Sequence, residues 1–216
     1  MAEDGSWPSI QANGLLSTSA LLDLYRVEGQ DRFALESQRR AESVIIKRDE
    51  YPDAIVRDQK PMSDSALKKC LLDGLTPQEW YENLNRKTFF WLSKERLWRL
   101  LGAKAYREEP QTVLTIDTAA LVAAHRERIL LSPINSGSTI MKPQPRGNGT
   151  FMTVADYPYA DRRRTRTHAD ALVELVVLDG VPDIRDHTIA AHRIENGQVA
   201  EIWRRDGADA NDGPEL

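Results

Sequence analysis

A single cysteine, Cys70, among 216 residues excludes an internal disulfide framework and suits a reducing compartment. No apolar run approaches the ~20 residues of a membrane-spanning helix, and no signal-peptide pattern opens the chain. The expected location is therefore cytoplasmic, without a membrane partner. The four histidines, His125, His168, His187 and His192, show no HExxH or other paired ligand spacing, so no metal is expected. A serine-hydrolase elbow, Gly-x-Ser-x-Gly, is absent. Gly147-Asn148-Gly149 follows no expected strand and lacks the third glycine of a dinucleotide phosphate turn. Basic charge is not in excess either. With a net charge of −4, any nucleic-acid contact has to come from a local patch.

What remains is an ordinary globular composition, 41% hydrophobic and 29% charged, at a length that fits one domain. Short helices are expected at Ser6–Asn13 and after Ser17-Thr18-Ser19, and a charged helix from about Glu28 to Arg40. Val44-Ile45-Ile46 and Ala54-Ile55-Val56 read as strands around a Tyr51-Pro52-Asp53 turn. Thr76-Pro77-Gln78-Glu79 combines a capping box with a first-turn proline, so a helix should follow. Strands are expected at Lys87–Leu92 and Thr112–Ile116, each leading into a helix. The stretch from Pro133 to Arg166 is a long loop or insertion. Asn196-Gly197 is a two-residue hairpin signal between the last two strands. The fold class is α+β, helical in its N-terminal half and strand-rich late. Residues 1–205 form one domain, and the acidic tail 206–216 should be disordered.

Within Leu172–Pro182 one carboxylate interrupts an apolar strand. Ala171, Val173, Leu175 and Val177 line one face, and Leu172, Glu174 and Val176 the other. Both faces are apolar, as in a strand covered on each side. Glu174 there needs a partner, a cleft or a proton. It is either a functional acid or an edge residue paired with one of the chain's many arginines.

Three polar features accompany it. The Gly14-Leu15-Leu16-Ser17-Thr18-Ser19 turn gathers amides and hydroxyls, which suits a phosphate or ribose as well as a plain helix cap. Arg39 and Arg40 stand near Arg57 across two short strands; arginine forks suit pyrophosphate, and equally charge pairs on a solvated face. Arg162, Arg163, Arg164 and Arg166 follow Tyr157 and Tyr159, an interleaving found where proteins grip single-stranded nucleic acid. Nearby Asp156, Asp161 and Asp170 dilute that charge.

In this order, Gly14-Leu15-Leu16, Arg39-Arg40, the aromatic strand Phe89-Phe90-Trp91, then Glu174 with Val181-Pro182 behind it, the chain resembles the DarT-type ADP-ribosyltransferases. These are toxins that modify DNA bases using NAD, and the chain would be a divergent branch. The resemblance implies a split mixed β-sheet core of ADP-ribosyltransferase type and NAD as co-substrate, without metal. Glu174 and Arg40 would be catalytic. Gly14, Leu15, Ser17, Thr18, Arg39, Phe90 and Trp91 would seat NAD, with the aromatic strand under the nicotinamide. Single-stranded DNA would meet Arg57, Tyr157, Tyr159, Arg162, Arg163, Arg164 and Arg166, and an antitoxin would be a further partner. Cleavage of the nicotinamide–ribose bond passes through an oxocarbenium-like state that one carboxylate can stabilise. Two departures stand out. The family carries a His-x-Thr element ahead of its first helix, about where this chain begins, and the segment from Arg57 to Leu84 has no counterpart in it. Alternatives are transfer to protein or RNA, including RNA 2′-phosphotransferase-like chemistry, or a non-catalytic NAD- or nucleotide-binding module.

Overall fold

The computed structural model describes residues 1–214. Glu215 and Leu216, the end of the expected tail, lie outside the described residues. The chain opens with strand β1 (Ala2–Glu3), helix α1 (Trp7–Asn13), strand β2 (Leu15–Leu16) and helix α2 (Thr18–Leu24). Ser17 caps α2 by accepting from the Ala20 amide. Helix α3 (Gly29–Glu36) and the hairpin β3 (Val44–Arg48) and β4 (Tyr51–Val56) follow. Next come helices α4 (Asp64–Leu67) and α5 (Pro77–Asn85), strand β5 (Lys87–Trp91), helix α6 (Lys94–Leu101) and strand β6 (Gln111–Ile116). The chain continues through helix α7 (Thr118–His125), strands β7 (Ile129–Ser132) and β8 (Met152–Thr153), and helices α8 (Tyr159–Arg163) and α9 (His168–Ala171). It closes with strands β9 (Glu174–Leu178) and β10 (Gly180–Val181), helix α10 (Ile184–His187), and the hairpin β11 (Thr188–Glu195) and β12 (Gln198–Arg204).

The fold is α+β. Two four-stranded sheets, ordered β1-β6-β11-β12 and β5-β9-β7-β8, carry it. Every ladder in them is antiparallel, so the split sheet is not the mixed one expected. The main core lies between the sheets: Leu175 and Val177 of β9 and Leu131 of β7 join Ala191 of β11 around Trp7 and Ile10 of α1. Among the described residues no helix is long and apolar enough to cross a membrane.

The strongest local signals hold. Thr76 and Glu79 cap α5 reciprocally, the Thr76 amide donating to Glu79 at 2.7 Å. Asn196 (φ 50) and Gly197 (φ 77) make the tight turn between β11 and β12. Other boundaries move. Helix α3 stops at Glu36, and the chain turns inward to bury Arg40 instead of continuing as a charged surface helix. Tyr51-Pro52-Asp53 belongs to β4 rather than to the turn, beside an irregularity in the β3–β4 register that tolerates the proline. The acidic tail is not free over residues 206–214, because Arg204 donates to the carbonyls of Asp209 (2.6 Å) and Asp212 (3.1 Å).

The segment between Arg57 and Leu84 has a clear place. Met62, Leu67, Cys70, Trp80, Tyr81 and Leu84 form their own core against the outer face of the second sheet. Trp80 stacks on Phe151 at 6.0 Å between ring centroids and is fully buried. This layer covers the face of β9 that carries Glu174.

Candidate functional site

A cavity of about 560 Å³ opens between the two sheets, at the edge strand β5. Its size is within the range of pockets that hold nucleotide-sized ligands. Gly14, Leu15, Ser17 and Thr18 line one side, Phe90 and Trp91 another, and Arg57 a third. Six of the residues that the resemblance assigns to NAD thus converge on one space, joined by Arg57. Gly213 and Pro214 of the tail also reach it.

The Gly14 turn is built by close backbone approach. Gly14 ends α1 at φ 85 and ψ 170, a conformation essentially limited to glycine. A Cβ at Gly14 would lie 2.5 Å from the Pro182 Cα, and one at Gly180 would lie 2.6 Å from the Leu16 Cα. These two glycines let β2 pair with β10, Leu16 opposite Gly180 and Leu15 opposite Val181. The pairing has a chemical consequence. The Gly14 amide donates to Ile10, the Ser17 amide to Asp179 at 3.3 Å, and the Ser17 hydroxyl accepts the α2 cap. The Gly14 and Ser17 amides are thus spent on the fold, whereas the buried Ser19 hydroxyl just beyond them has no partner.

Arg39 and Arg40 are elsewhere. Arg39 donates to the Lys60 and Met62 carbonyls, outside the cavity lining. Arg40 is 7% exposed and donates to the Leu35 carbonyl, the Arg57 carbonyl (2.8 Å) and Asn85 Oδ1 (3.0 Å). Burial lowers its pKa to about 10. With its guanidinium committed to these three acceptors, Arg40 braces the chain at Arg57 and does not touch the cavity.

Glu174 sits at the start of β9, opposite Trp91 of β5 and Ser132 of β7. Leu175 lines the cavity but Glu174 does not, since successive side chains leave a strand on opposite faces. Its carboxylate is buried under the α4–α5 layer, where it accepts from the Ser136 hydroxyl at 2.7 Å and the Ser136 amide at 3.2 Å. Burial pushes the Glu174 pKa up to about 7, against the lowering effect of Ser136, Arg146 and Arg96. Arg146, also fully buried, donates to the carbonyls of Ser136 (2.8 Å), Ser138 (2.9 Å) and Gln144 (3.0 Å). Glu174, Ser136 and Arg146 therefore pin the long loop between β7 and β8 to the sheet. Arg146→Ala would strand three carbonyls and should cost at least about 3 kcal/mol, read as a lower urea midpoint at unchanged slope. Wild-type stability in that variant would show that the loop is not held this way.

The residues 1–188 match the family described as "Family of unknown function (DUF7002)". The chain belongs to that family. None of the curated proteins or solved structures matches it. The DUF7002 match spans every cavity-lining residue except Gly213 and Pro214, and it includes Glu174, Ser136 and Arg146.

In this DUF7002 chain the arginine–aromatic segment is largely structural. Tyr157 is 7% exposed and its hydroxyl donates to the Ala171 carbonyl at 2.6 Å, so it cannot stack on a base. Arg162 donates to the Ala171 and Pro133 carbonyls. Arg163 donates to the Arg166 carbonyl and approaches His168. Tyr159, Arg164 and Arg166 remain at the surface, away from the cavity lining.

One cluster escaped the sequence because its members are separated in the chain. His125 Nε2 lies 2.8 Å and His187 Nε2 3.2 Å from the Asp183 carboxylate. The three could hold a metal by number and distance, their ligand atoms lying within 4.8 Å of one another. Arg128 weighs against it: its Nη2 faces His125 Nδ1 at 2.8 Å, and arginine only donates. With Nδ1 facing that donor, His125 cannot donate from its outer nitrogen as a metal-binding histidine does. Asp183 draws α7 toward α10, bonded to His187 and in 2.8 Å contact with His125. Ser136, Arg146 and Gln111 were likewise missed, because nothing local marks a loop serine, one arginine among many, or a strand glutamine as a partner.

Proposed function

We propose that this chain is an NAD-binding protein of ADP-ribosyltransferase type, with NAD seated in the cavity between the sheets. The observation that carries this is the convergence of Gly14–Thr18 and Phe90-Trp91, distant in sequence, on one nucleotide-sized space beside Arg57. Phe90, opposite Leu175 on the cavity face of the edge strand, offers flat apolar contact to a nicotinamide or adenine ring, and the glycine turn allows close approach of backbone to ligand. Transfer would go to a nucleic-acid base, with Tyr159, Arg164 and Arg166 as the surface that meets the strand.

Glu174 is the natural acid for that chemistry, but its carboxylate is on the other side of β9, bonded to Ser136. Among the described residues, Glu3, which accepts from Ser43 at 2.8 Å, is the carboxylate within the cavity lining. This favours a second reading, a module that binds NAD without turning it over.

Labelled NAD incubated separately with DNA, RNA and protein separates the two. Transfer of label to single-stranded DNA, lost by about 10²–10³ in Glu174→Gln, supports the transferase and Glu174 as its acid. Binding without turnover, unchanged in Glu174→Gln, supports the module. Millimolar NAD should raise the melting temperature in both cases, and no shift would sink NAD as the ligand. For the acceptor surface, Arg164→Ala with Arg166→Ala should weaken retention of single-stranded DNA at low salt, without changing the NAD shift. Equal retention by the double variant would remove this segment from the acceptor site.

A further inference from the structure

Arg57 lines the cavity, yet its Nη1 is buried without a hydrogen-bond partner and no ion pair to it exists among the described residues. Everything else about the side chain is fixed. Nη2 donates to Gln111 Oε1 at 2.8 Å, and Gln111 is fully buried in β6. The guanidinium lies 4.9 Å from the Tyr106 ring centroid, and the Tyr106 hydroxyl is held by Asp58 at 2.8 Å. From below, Arg40 holds the Arg57 carbonyl. Arg57 is half-buried, and a guanidinium nitrogen withdrawn from water among neutral acceptors alone is costly, because desolvating a charge is repaid only by a counter-charge.

We infer that Arg57 is the anion anchor of the cavity, and that it takes a phosphate of the bound nucleotide rather than the backbone of a nucleic-acid acceptor. Arg40 and Gln111 are positioning residues that aim it. A planar, pre-set arginine fork suits a phosphate in two-point contact, and its orientation is settled before the ligand arrives. The inference rests on the NAD reading for the identity of the nucleotide, not for the charge it needs.

Calorimetry on the full chain with NAD, ADP, inorganic pyrophosphate and adenosine tests it. Arg57→Gln should weaken NAD, ADP and pyrophosphate by roughly 10- to 100-fold while leaving adenosine unchanged. Arg57→Lys, which keeps the charge but loses the fork, should fall between. Gln111→Glu guards against a folding artefact. It supplies the missing counter-charge beside Arg57, so it should keep the melting temperature within a few degrees yet weaken ADP at least ten-fold. A merely structural Gln111 would move stability and not the preference for ADP over adenosine. NAD bound equally by wild type and Arg57→Gln would overturn the anchor and leave the NAD reading standing. Pyrophosphate bound through Arg57 without any NAD binding would keep the anchor and remove NAD as the ligand. No anion binding at all would overturn both.

Discussion

Gly14→Ala should lower the melting temperature by roughly 6–12 °C, the shift expected for a loss of about 3 kcal/mol in a chain of this size. Two causes add. The φ of 85 with ψ 170 is a backbone state that a side chain tolerates poorly, and the new Cβ would meet the Pro182 main chain at 2.5 Å. Main chain cannot swing aside as a flexible side-chain end would. Relief would have to come from separating β2 from β10, which would also open the cavity wall at Leu15. Gly29→Ala is the matched control, because Gly29 also has a positive φ, 60, but nothing lies within 4 Å of its Cβ position. It should cost about 1 kcal/mol from the backbone term alone. Equal losses in the two variants would show that the Pro182 contact contributes nothing. The Gly14 variant should also lose its thermal response to NAD, whereas the Gly29 variant should keep it.

The same glycine shows what could be read from the sequence. Gly14 stands where a helix should end, so its turn was legible, as were the Thr76 capping box and the Asn196-Gly197 hairpin, because each depends on neighbours in the chain. The α+β class and the apolar strand around Glu174 were legible for the same reason. The direction in which Glu174 points was not. Both faces of β9 are apolar, so alternation separates Glu174 from Leu175 but does not say which face meets a cavity. That was decided by the α4–α5 layer, whose Trp80, stacked on Phe151, covers one side. Arg40 is a similar case: Arg39-Arg40 beside Arg57 reads as a cluster of three cations, but the fold spends Arg40 on carbonyls and leaves Arg57 at the cavity. The arginine run at 162–166 was equally open, because carbonyl acceptors such as those of Ala171 and Pro133 leave no trace in sequence.

The second large effect is a pH dependence that Glu174→Gln should erase. The Glu174 carboxyl titrates at about 7 in the folded protein against a reference value of 4.5. The folded state therefore holds this proton more tightly than the unfolded chain. Its contribution to stability is complete below about pH 4.5 and is lost progressively as the pH rises through 7. Over that window the loss is on the order of 3 kcal/mol, reduced to the extent that Ser136 and Arg146 reorganise around the charged form. Gln keeps the shape, and its oxygen can accept from the Ser136 amide or hydroxyl, but it carries no charge to desolvate. Urea midpoints at pH 5 and pH 8 give the comparison. The two proteins should differ little at pH 5, and at pH 8 the Gln variant should be the more stable, by a margin that other titrating groups cancel from. The same stability difference at both pH values would mean that Glu174 is not held in a dry site. A variant less stable at pH 8 than at pH 5, relative to wild type, would mean that the charged carboxylate is the form the fold prefers, and that Arg146 outweighs burial.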